Sequence, residues 1–172
     1  MYRIAILVCL FLLILNNTKP MDKKETILPG KVLKLEVEMA QTAKLQLPFT
    51  IQVILKNVSK VPQLVNKRLS MGYKSSLARE LFVSISKTKS GPIIGAETEL
   101  YERDFSKPED FVWLQPDQQV TTEFNLFDWY ELPGKGSYYI KVCYQADEKL
   151  AYKPADLAKG TFCSAVTKVT FE

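Results

Sequence analysis

The chain contains no histidine anywhere in its 172 residues. That absence removes His-ligated metal sites, Ser-His-Asp and Cys-His nucleophile pairs, and the HExxH peptidase motif together. The seven glycines are scattered, so no Gly-rich loop is present to cradle a phosphate. No block of basic residues stands out either. The nearest group, Lys19, Lys23 and Lys24, is interrupted by Asp22 and Glu25, and the net charge is only +4. Nucleic-acid binders concentrate such charge on one face or arm, so nucleic acid is not an expected partner. No segment beyond residue 30 carries a long helical period, and no internal repeat or low-complexity tract is present. Without histidine, catalysis would fall to carboxylates, Lys, Tyr or Cys. The expectation is no enzyme, no cofactor and no metal.

The chain does have an apolar start. Residues 4–15 are uninterrupted apolar side chains between Arg3 and the polar Asn16-Asn17-Thr18. Such a run suits the core of a signal peptide and falls short of the roughly 20 residues a spanning helix requires. No pair of small residues follows Leu15 to mark a cut, so an uncleaved anchor is the alternative. A lipoprotein reading through Cys9 fails, because that thiol lies inside the apolar run behind bulky Val8. The expected organisation is a signal or short anchor helix over 1–18, a polar link over 19–30, and one domain over 31–172. The expected location is secreted or periplasmic, with any membrane contact made only through residues 4–15 of an uncleaved leader.

Export bears on the cysteines. With Cys9 in the leader, Cys143 and Cys163 remain as an even pair in an oxidising compartment. A bond between them would stabilise the fold by about 3 kcal/mol in the chain-entropy picture. Two unpaired structural thiols are the other reading, and two thiolates without histidine make a poor metal set.

Beyond Gly30 the apolar residues alternate. Leu33, Leu35, Val37 and Met39 face away from Lys34, Glu36 and Glu38; Leu45 through Leu55 repeats the pattern, with Pro48 implying an edge or a bulge. Further strands are expected over 61–69, 81–85, 111–114, 120–126, 138–144 and 161–171, with a one-turn corner at 127–132. Seven or more short strands separated by turns predict an all-β, immunoglobulin-like Greek-key sandwich. The alternation puts Tyr138, Ile140, Val142 and Tyr144 inward, and Tyr139 and Cys143 on the opposite face. Gly136 followed by Tyr138 suggests a tyrosine corner, with the phenol returning to a backbone group of the preceding turn.

One succession carries a resemblance: Leu114-Gln115-Pro116, then Val120 to Leu126, then Tyr130-Glu131-Leu132, then Gly136 to Val142, with Ser164 opening the closing segment. It resembles the immunoglobulin-like module beside some secreted metallopeptidases of the deuterolysin type, over roughly residues 31–172. The peptidase's own motif needs histidine, so the resemblance implies a fold and no activity. It departs from antibody domains in joining cysteines of neighbouring strands rather than bridging two sheets around a Trp.

Few groups could carry chemistry. Asp104, Glu109 and Asp110 surround Lys107-Pro108, and Asp147, Glu148 and Asp156 lie in a late loop, all in polar surroundings that suit a solvated face. Asn16-Asn17-Thr18 and Asn57-Val58-Ser59 match the N-glycosylation acceptor pattern. Of the aromatics Trp113, Trp129, Tyr130 and Tyr139, most are expected in the core, with Trp129 and Tyr139 the exceptions able to meet a partner. The expected function is a non-catalytic exported binding module that recognises another protein or a surface polysaccharide through loops at one end of the sandwich. Candidate contact residues are Trp129, Tyr139, Lys149, Lys153 and Asp156, with the basic segment 66–80 as a second surface. A peptidase inhibitor of the same fold and a carbohydrate-binding module are the alternatives.

Overall fold

A computed structural model describes residues 32–71, 80–94, 96–97, 106–145 and 154–172. The leader, the polar link, and Lys149 and Lys153 of the late loop lie outside the described residues. Among the described residues no helix is long and apolar enough to cross a membrane.

The alternating runs form strands. In chain order these are β1 Leu33–Glu38, β2 Thr42–Ala43, β3 Thr50–Asn57, β4 Gln63–Asn66, β5 Leu81–Ser86, β6 Ala96–Glu97 and β7 Phe111–Leu114. They continue with β8 Gln119–Asn125, β9 Tyr130–Glu131, β10 Gly136–Gln145, β11 Thr161–Cys163 and β12 Thr167–Phe171. One sheet has the order β1-β3-β8, all antiparallel. In the second, β10 pairs with β5 on one side and with β12 and β11 on the other, while β2 joins β12 in parallel. The chain passes from β3 to β5 and from β8 to β10 by changing sheets, which makes the molecule an immunoglobulin-like Greek-key sandwich. Two short ladders, β4 with β7 and β6 with β9, flank it.

Period-two patterning puts one face of each sheet in the core. Ile51, Val53 and Leu55 of β3 meet Leu81, Val83 and Ile85 of β5 and Tyr138, Ile140, Val142 and Tyr144 of β10, all buried. At one end of this core, Phe171 makes edge-to-face contacts with Phe49, Phe127 and Tyr138. The Tyr138 hydroxyl donates to the carbonyl of Gly134, closing the expected corner. Gly134 and Gly136 there adopt φ of 150° and 131°, a region a side chain would strain.

Two local expectations change. The run 45–55 is not one strand: Gln46 turns with φ 68°, and Pro48 stands just before β3. β3 is the central strand of its sheet, where a proline would remove a ladder hydrogen bond. The closing segment 161–171 is two strands. Ser164 sits buried between them rather than opening the last one, its hydroxyl accepting from Val142 N at 3.2 Å. Of the basic segment 66–80, residues 72–79 lie outside the described residues; Lys67 is exposed, whereas Arg68 is not a free surface charge. Arg68 reaches inward to Glu80 Oε1 at 2.6 Å, and Glu80 is fully buried.

That carboxylate organises one flank. Its Oε1 also accepts from Asn66 Nδ2 at 2.9 Å and Ser106 Oγ at 3.3 Å, and its Oε2 accepts from Ser70 N at 2.8 Å. Asn66 N in turn donates to the Tyr144 hydroxyl at 3.1 Å. Leu69, one residue before Ser70, holds φ 45°, unusual for a bulky side chain and fixed here by the bonds on either side of it.

Candidate functional site

The outer face of the second sheet follows from the same alternation that builds the core. With Leu81, Val83 and Ile85 inward, β5 turns Ser84 and Ser86 to the other face, where Ser86 is buried beneath the following turn; β10 presents Ser137, Tyr139 and Lys141; β12 presents Lys168 and Thr170. The register aligns these residues in rows. Ser86, Tyr139 and Lys168 lie side by side across three strands, and Ser84 pairs with Lys141 in the next row. On the other side, Ser137, Thr170 and Thr42 form a hydroxyl row, with Ser137 Oγ and Thr170 Oγ1 3.0 Å apart.

The turn after β5 folds over part of this face. Ser86 Oγ donates to the carbonyl of Thr88 at 2.5 Å, Gly91 N donates to the same carbonyl at 3.2 Å, and Ile94 N returns to Ile85 O at 2.7 Å. A Cβ at Gly91 would lie 2.3 Å from Thr88 Oγ1, so a side chain there would force the threonine hydroxyl to turn away. The folded turn sets Lys89 and Ser90 beside Tyr139, Lys141 and Val166 around a hollow of about 200 Å³. A second, shallower hollow of about 490 Å³ runs past Gln41, Thr42, Thr167, Lys168 and Thr170. Among the described residues no carboxylate lines either hollow. Glu172 stands past the end of β12, outside both.

This face can hold a ligand by hydroxyl hydrogen bonds, by the half-buried ring of Tyr139 and by the ammonium groups of Lys89, Lys141 and Lys168. It brings no pair of carboxylates together among the described residues. Among the described residues no group of three or more Cys, Asp or Glu side chains comes together as a metal would require.

The sequence-level candidates fall apart from one another. Cys143 and Cys163 face each other across β10 and β11 and form a disulfide, with Cα atoms 4.1 Å apart. Tyr139 lies on the outer face, half-buried. Trp129 corrects the expectation of an exposed ring: it is only 8% exposed and packs into the core behind the 3₁₀ turn Leu126–Asp128. Trp113 is the exposed tryptophan instead, at 49%. Asp156 is exposed in the Pro154–Leu157 turn, away from the residues lining the hollows. Sequence reading missed Ser84, Ser86, Lys89, Lys141, Lys168 and Thr170. The alternation that singled out Tyr139 marks its outward neighbours too, but only the strand register shows that they form one surface. The chain matches no protein-family model and no curated protein.

Proposed function

We propose that this protein is a non-catalytic binding module of an exported type, which recognises a macromolecular partner on the outer face of its second sheet. The observation that carries this reading is the pair Tyr139 and Lys168, adjacent across β10 and β12, with Lys141 and Lys89 beside it. An aromatic ring flanked by cations and hydroxyls on a strand-built surface suits recognition, because the rigid sheet leaves little to order on binding. The disulfide between Cys143 and Cys163 supports residence in an oxidising compartment. The late loop, first expected to carry recognition, lies for residues 146–153 outside the described residues, so the sheet face takes its place here.

The test is amide chemical-shift mapping of the isotope-labelled protein against panels of secreted proteins and polysaccharides, with the ligand's mass followed over days. Shifts centred on Tyr139, Lys141 and Lys168 with an unchanged ligand support the reading. Turnover of the ligand, or shifts confined to another surface, overturns it. Stoichiometric inhibition of a peptidase through loops at the sandwich end would replace it with the inhibitor alternative.

A further inference from the structure

The charge and chemistry of the outer face narrow the ligand class, on the premise that this face is the recognition surface. We infer that it takes an acidic polysaccharide, a chain of sugar rings bearing carboxylate or sulfate groups. Three features converge on that class. The lysines stand around Tyr139 on different sides: Lys168 directly across on β12, Lys141 two residues along β10, and Lys89 from the overhanging turn. Neighbouring strands lie about 4.8 Å apart and next-but-one residues about 6.7 Å apart, so cations occur on both sides of one ring-sized platform. A single anion would need them to converge on one point. A linear polyanion meets them in succession.

The second feature is the aromatic. One half-buried tyrosine gives a flat apolar patch of the size of a pyranose face and no deep apolar pocket. An acidic peptide would gain little from it, since peptide recognition draws on pockets for alternate side chains or on an open strand edge. Tyr139 sits on β10, which is paired on both flanks and offers no edge.

The third is the density of hydroxyls. Ser84, Ser90 and Thr42 can each donate and accept, matching sugar hydroxyls that do the same, and the bonded pair Ser137 and Thr170 keeps one hydrogen and free lone pairs between them. Ser86 is committed to the Thr88 carbonyl and serves instead to hold the turn over the hollow. With no carboxylate among the described residues lining the two hollows, nothing there repels an acidic chain.

The test uses the full chain and four probes: polygalacturonate, heparin, neutral dextran and polyglutamate, titrated by calorimetry and by shift mapping at 50 and 300 mM salt. Binding of polygalacturonate or heparin, with shifts at Tyr139, is expected. Lys141→Glu and Lys168→Glu should each weaken it about five- to tenfold, and higher salt should weaken it further. Lys168 is exposed, so its variant keeps the test valid if Lys141→Glu melts early. Equal binding of dextran, or equal or tighter binding of polyglutamate at the same residues, overturns the acidic-sugar assignment and leaves the binding face standing. No binding of any polyanion also overturns the assignment. Shifts that avoid the Tyr139 face overturn the proposed recognition surface itself.

Discussion

At the scale of single residues, Asn57 shows how a motif read from sequence can be consumed by the fold. Asn57-Val58-Ser59 has the form of a glycan acceptor, yet its side chain is fully buried. The Nδ2 group donates to Val61 O at 2.8 Å and Leu114 O at 2.9 Å, which uses both of its hydrogens. Oδ1 accepts from Ser59 N at 2.9 Å and Ser59 Oγ at 2.8 Å. The serine that completes the acceptor pattern is therefore the asparagine's own structural partner. A sugar on Nδ2 would break these bonds and push into the core. Protein secreted from a eukaryotic host should carry no glycan at Asn57 in its folded fraction, as peptide mass mapping would reveal. Asn57→Ala should lower stability by about 1–3 kcal/mol, because it leaves the buried Leu114 carbonyl without its side-chain donor. Urea denaturation reads this directly. An unchanged midpoint would mean the Leu114 carbonyl finds another donor.

At the scale of elements, Glu80 connects β4, the left-handed turn at Leu69 and the start of β5. Through Arg68 Nη1, 3.9 Å from Asp110, it also reaches the entry to β7. Removing one partner of a buried ion pair is more damaging than removing both, since the survivor stays desolvated. Glu80→Gln should cost about 3 kcal/mol, near the low end of that class because the Arg68 side chain keeps 21% of its surface in water. Hydrogen exchange should localise the loss to β4 and β7 first. A uniform loss across both sheets would show that the cluster supports the whole sandwich instead. None of this cluster was legible in the sequence. Asn66, Arg68, Glu80 and Ser106 share no spacing or period, and only the tertiary fold brings them together. The strands were legible because alternation is local: Leu33 to Val37, Ile51 to Leu55 and Tyr138 to Tyr144 each announce an inward face by themselves. The tyrosine corner was legible for the same reason, since Gly134, Gly136 and Tyr138 lie within one turn. What misled was also local. Leu45 and Leu47 continue the apolar alternation of β3, but positive φ at Gln46 turns the chain and leaves Leu47 55% exposed.

At the scale of the whole molecule, two features set the conditions under which the sandwich persists. The disulfide closes 20 residues of chain between β10 and β11. Replacing both cysteines by alanine should cost about 3 kcal/mol, seen as a lower urea midpoint that reducing agent no longer shifts. The second feature is the phenol of Tyr144, buried between the sheets beside Phe162 and linked to Asn66 N. Burial raises its pKa well above the usual tyrosine value; the Asn66 hydrogen bond opposes that shift, and the charge of Glu80 adds to it. In the unfolded chain this phenol would lose its proton near pH 10, whereas the folded protein retains it. Folded protein thus binds more protons above that pH, and stability falls as pH rises. The contribution is fully present below about pH 10 and declines above it by at most about 1.4 kcal/mol per pH unit for one group. Tyr144→Phe separates this effect from general alkaline damage. It should be less stable at pH 7 by about 1 kcal/mol, through loss of the bond from Asn66 N, and its stability should fall less steeply between pH 10 and 11. Parallel curves for the two proteins in that range would mean that Tyr144 ionises in the folded state as readily as in the unfolded chain. The flank where β4 meets the end of β10 would then have to open without unfolding the sandwich.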